Sequence, residues 1–206
     1  MSNEANLPKE SKGKKGSTDT SKATTQRLRK TLTAAAAIAF GIALHPVKSH
    51  GQDGGAPTDP LGIVTTADRI DINYAKLALS KTKNKQVRDF AQQMITDHTS
   101  VQNSANALAA KLNVTPADGG TSNSLNAQAQ QMMRTLEGLK GKAIEKAYID
   151  NEVAYHHAVI NATKTVLIPS AQSAELKSAP EGATPLFEGH LQHAKRVQSA
   201  IEGEAK

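Results

Sequence analysis

The strongest constraint on this chain is a spacing. Between Lys85 and Leu112 the apolar residues Val87, Phe90, Met94, Val101, Ala105, Leu108 and Leu112 recur at steps of three and four, and His98 fills the one step they leave open. That period belongs to a helix with a single buried stripe. An imidazole aimed into such a stripe must find a partner, because an unsatisfied buried polar group costs about 1–3 kcal/mol.

The same period returns elsewhere. Ile63, Ala67, Ile70, Tyr74 and Leu77 form one stripe, with Asp71 bordering it; Ile149, Val153, His156 and Ile160 form another; Phe187, His190, Ala194, Val197 and Ile201 form a third. Aromatics make up only 3% of the 206 residues, and the hydrophobic 38% is mostly Ala, Leu, Val and Ile. These features predict an all-α chain. There is no Cys, so disulfides, thiolate chemistry and a lipidated N-terminal cysteine are excluded.

A net charge of +6 suggests a nucleic-acid partner until the charge is located. Residues 1–51 carry nine Lys and Arg against three acids, which accounts for all of it, and the remainder is neutral. A neutral domain with no basic stripe and no interleaved aromatics predicts no nucleic-acid partner. The basic region reads as a leader: RLRK (27–30), the apolar run TLTAAAAIAFGIAL (31–44), then Pro46, with small residues Ser49 and Gly51 before a cleavage point at Gln52. The apolar run is shorter than the ~20 residues a membrane span needs, so cleavage is expected over retention as an anchor. Residues 1–51 are therefore taken as a signal peptide with a long basic first part, 52–60 as a flexible linker, and 61–203 as the helical domain.

Within that domain a first helix is expected from Leu61, capped by Thr65, Thr66 or Asp68. Lys81 to Lys85, KTKNK, turns into helix two. Residues 114–124 read as a loop, and Leu125, Ala129, Met132, Leu136 and Leu139 as a helical part of a long crossover. The next helix starts near Lys142 and ends before Pro169; Pro180, Gly182 and Pro185 are expected to break the segment beyond it. His98 and His156 lie at similar depths from the starts of their helices, which places them level if those helices run parallel.

Four segments carry a resemblance: KLA (76–78), VRDFAQQMITDH (87–98), GKAIEKAY (141–148) followed by His156, and PLFEGHLQHA (185–194). Together they resemble a bacterial family of exported proteins, domain of unknown function 4142, which is grouped with ferritin-like four-helix bundles. The resemblance covers residues 67–197, and Met94-x-x-Asp97-His98 is its most specific part. It implies a ferritin-like four-helix bundle with a long, partly helical crossover between helices two and three, and location in the periplasm or at the outer membrane. It brings no established activity. Its recurrent polar positions fall on Asp97, His98, His156 and His190; the acid of its first helix falls on Asp71, an Asp in place of the usual Glu. The Glu-x-x-His pair of di-iron ferritins is absent, so ferroxidase activity does not follow from the fold.

Three histidines on three inward stripes, with oxygen from Asp71 or Glu152, would make a donor set suited to Zn, Fe, Mn or Cu(II). Met94 is the one soft donor near in pattern. Asp97 points about 100° away from His98, so it, Tyr148 and Tyr155 read as hydrogen-bond partners around the ligands. The competing reading is a metal-free structural or interaction module of the cell envelope, its imidazoles paired with Tyr, Glu or carbonyl groups. His157 and His193 read as rim residues, Glu188 as solvated on the first turn of the last helix, and Met132 and Met133 as core filling. No nucleophile elbow, phosphate loop, dinucleotide fingerprint or His-Glu-x-x-His motif is present. The reading is therefore of a metal-handling or stress-defence protein, not of a named enzyme class. The envelope and further copies of the chain are the partners left open.

Overall fold

The computed structural model describes residues 59–204; the expected signal peptide and most of the linker lie outside the described residues. Every regular element among the described residues is helical. Helix α1 (Pro60–Lys81) is capped by Asp59, whose carboxylate accepts the Leu61 amide at 3.0 Å and also the Ala117 amide at 2.7 Å. Pro60 supplies the first turn, where its missing N–H costs nothing. The expected caps lie further in: Thr65 donates to the Leu61 carbonyl, Thr66 to Asp118, and Asp68 is buried.

Helix α2 (Lys85–Leu112) begins at Asn84, whose side chain accepts the amides of Gln86 and Val87, and ends at Asn113 in the left-handed conformation. Helix α3 (Gly120–Gly138) starts five residues earlier than the Leu125 expected, so the connecting loop is short. Its last turn is held by the Lys81 ammonium, which donates to the carbonyls of Leu136, Glu137 and Leu139. A cation at a helix C-terminus satisfies carbonyls that have no amide of their own.

After Gly141 at φ 54°, helix α4 (Lys142–Ala162) runs on without the expected stop. It widens into a π-helical turn (Thr163–Leu167) and closes with one further turn (Ile168–Ser170) that contains Pro169. Helix α5 (Ala174–Gly203) is also continuous, with Pro180 and Pro185 inside it, where the sequence predicts a break. Glu188 therefore sits mid-helix, paired with Lys164 at 2.6 Å, and not on a first turn.

Contacts at the ends fix the directions. Thr82, just after α1, meets Glu145 on the first turn of α4 at 2.6 Å, and Asn84 at the start of α2 meets Glu204 just after α5. Hence α2 and α4 run one way, and α1 and α5 the other. Helix α3 lies mainly against α1. The largest apolar cluster gathers Tyr74, Val87, Phe90, Met94, Leu136, Ile144, Tyr148 and Ile149, all fully buried; Met132 and the half-buried Met133 fill it out. Two smaller clusters, around Leu61 and Ala105 and around Ile160, Phe187 and Leu191, lie apart from it. No described helix is long and apolar enough to cross a membrane.

Candidate metal centre

The polar exceptions on the stripes meet. His98 from α2, His156 from α4 and His190 from α5 are 3%, 1% and 1% exposed, and Asp71 from α1 and Glu152 from α4 are both at 0%. Ring centroids are 5.6 Å apart for His98 and His156, 5.2 Å for His98 and His190, and 5.3 Å for His156 and His190. One nitrogen from each ring lies within 4.8 Å of the others, and one donor atom from each of Asp71, Glu152 and His156 meets the same limit.

Each imidazole is anchored through one nitrogen and leaves the other unbonded. His98 Nδ1 is 2.8 Å from Asp68 Oδ1, His156 Nδ1 is 3.0 Å from the Glu152 carbonyl, and His190 Nε2 is 2.9 Å from Asp97 Oδ2. With those nitrogens donating, the lone pairs fall on His98 Nε2, His156 Nε2 and His190 Nδ1, and these three atoms have no hydrogen-bond partner among the described residues. A ligating histidine fixed in this way by a carboxylate or carbonyl on its far nitrogen is the usual support for a metal ligand. Asp71 Oδ2 stands 3.3 Å from His98 Nε2 and 3.8 Å from His156 Nε2.

The carboxylates sharpen the imbalance. None of the four oxygens of Asp71 and Glu152 has a well-formed hydrogen bond among the described residues, although the Asn151 side chain lies beside Glu152 and His98 Nε2 beside Asp71. Burial pushes the Asp71 carboxyl up to about 6 and the Glu152 carboxyl well above its usual range, Glu152 being raised further by the adjacent Asp71. A proton held between them would turn one acid into a donor; a cation would satisfy both. The imidazoles divide as well. Burial lowers His98, but the carboxylates of Asp71 and Asp68 outweigh it and leave a net rise. Burial, followed by repulsion from His98 and His190, brings His156 down to about 3, and burial lowers His190 against the pull of Asp97.

Among the residues expected around the ligands, Asp97 bonds His190, Tyr155 donates to the Ala67 carbonyl at 2.9 Å, and the fully buried Tyr148 hydroxyl has no hydrogen-bond partner among the described residues. His157 is exposed, and His193 is half-buried against Gln93 at 2.8 Å. Asp68 is the residue that sequence alone misplaces. Its spacing offers it as a helix cap, yet it is 2% exposed and grips His98. The signal for this role is its place one turn before Asp71 on the same helical face. Phe187 also belongs to the setting, its ring stacked on His98 at 5.5 Å.

A helical chain with a buried cluster of three histidines and two carboxylates can now be placed. Residues 46–197 match the family described as domain of unknown function DUF4142, and the chain belongs to it. No curated protein matches the chain. Among solved structures, a DUF305 protein from Streptomyces coelicolor, described as a candidate secreted protein, is similar in fold with a TM-score of 0.59 at 11% identity, over 69% of this chain and 91% of that one.

Proposed function

We propose that this chain is an exported, ferritin-like helical bundle that binds one transition-metal ion, Zn, Fe, Mn or Cu, through His98, His156 and His190, for metal handling or oxidative and envelope stress defence. Asp71 supplies the oxygen ligand and Glu152 stands beside it as the alternative. One observation carries the reading: two buried triads, one of His98, His156 and His190 and one of Asp71, Glu152 and His156, share His156, and the inner ring nitrogens and carboxylate oxygens form no hydrogen bond among the described residues. Asp68, the Glu152 carbonyl and Asp97 hold the rings with the correct nitrogen inward. Imidazole with carboxylate is the donor set of borderline divalent ions. The bound ion would supply Lewis acidity or, for Fe, Mn or Cu, a redox couple. A reaction there additionally needs a coordination position left open to a substrate.

The test is the metal content of protein purified from its native compartment. Stoichiometric metal that disappears in His98→Ala, with helical circular dichroism retained, supports the reading; a folded protein carrying no metal removes it. A second reading, the metal-free envelope module, is favoured by the same carboxyl pair, since a proton shared by Asp71 and Glu152 would also settle their oxygens. Under that reading a chelator leaves the melting curve unchanged.

A further inference from the structure

Two helical irregularities of this protein, the start of the π-helical turn at Thr163 and Pro180 inside α5, border one cavity. It has a volume of about 340 Å³ and lies between the start of α1, the second half of α2, the π-helical turn and the first turns of α5. Leu61, Val64, Val101, Ala105, Ala183 and Phe187 are among the apolar residues that line it. The two minor apolar clusters flank it, so the core divides here where elsewhere it is continuous. None of the residues lining it is charged. The serine hydroxyls at its edge are partly committed, Ser104 to the Ser100 carbonyl and Ser178 to the Glu175 carbonyl.

We infer that this cavity binds an uncharged organic molecule with an apolar body and one N–H or O–H donor. The absence of any charged lining residue excludes an ionic ligand, whose desolvation nothing there would offset. The volume is about twice the ~150 Å³ that holds a benzene ring in an apolar protein cavity, which fits a two-ring compound with room to spare. The donor requirement comes from α5. Pro180 has no N–H to give the Leu176 carbonyl, which a regular helix would satisfy from that position, and both residues line the cavity. Thr163, the first residue of the π-helical turn, also lines the cavity, and such turns recur at binding sites. The occupant would sit one aromatic ring from the histidine cluster, because Phe187 stacks on His98 at 5.5 Å and lies 6.5 Å from His156. The inference does not require a bound metal.

Titrating the purified protein with indole, followed by amide and methyl NMR, tests it. Saturable shifts are expected at Leu61, Val64, Ala105, Ala183 and Phe187 with a Kd of about 1 mM or below, and 1-methylindole, which lacks the N–H, should bind at least about fivefold more weakly, the loss of one hydrogen bond. Ala183→Phe, which fills the cavity from its half-buried wall, should abolish the response while keeping a cooperative melt. No saturable shift in the unmodified protein, shifts confined to other surfaces, equal binding of the two indoles, or unchanged binding to a folded Ala183→Phe variant would each overturn the inference.

Discussion

Glu152 and Asp71 are the residues at which binding and stability part company. Burial holds the Glu152 carboxyl protonated well above its usual range, so a neutral amide of the same shape replaces it at little cost in the metal-free protein. Glu152→Gln is therefore expected to leave urea stability in chelator at pH 7 within about 0.5 kcal/mol of the parent while weakening metal binding about tenfold or more. A loss of stability above about 2 kcal/mol would show that the carboxyl supports the fold itself. Asp71 carries the pH dependence. Its carboxyl is raised to about 6, so the folded state holds that proton where the unfolded state has released it, and stability from this group is lost as pH rises from about 4 through 6. His156 works the other way: at about 3, it refuses a proton that the unfolded chain accepts, and stability falls as pH drops below about 6.5. The difference between Asp71→Asn and the parent isolates the first effect. In chelator it should grow in favour of the variant by up to about 3 kcal/mol between pH 4 and 7, measured by urea unfolding.

At the scale of the element, sequence period and structure agree where caps and stripe point the same way. Helix α2 was legible over Lys85–Leu112 because its stripe of threes and fours runs its whole length, and the caps at Asn84 and Asn113 end it where the stripe ends. Helix α5 was not, because proline in a helix interior costs about 3 kcal/mol and reads as a stop. Here its neighbours override that local preference: Thr184 donates to the Pro180 carbonyl at 2.8 Å, and Phe187 and Leu191 are buried just beyond. The override leaves a mark that can be measured. Amides of residues 174–185 should exchange with deuterium markedly faster than those of 187–203, and Pro180→Ala should narrow the gap, since it restores the amide facing the Leu176 carbonyl. Equal protection along α5 in the unmodified protein would contradict this account. The burial of the three histidines was likewise legible, because each stands on its stripe, and so was the shared level of His98 and His156 on the condition of parallel helices; the level of His190 was not, because it depends on the direction and continuity of α5 that only the contacts between ends reveal.

For the molecule as a whole, a ligand held only by the folded state adds to its stability in proportion to the logarithm of its excess over Kd. A hundredfold excess is worth about 2.7 kcal/mol, so removing metal should lower the melting temperature by about 5–10 °C. The same chelator should not move the melt of His98→Ala. The site residues run from position 71 to position 190 and come from α1, α2, α4 and α5. On the proposed metal reading, a site drawn from four helices is complete only once the last of them has docked, so loading follows folding.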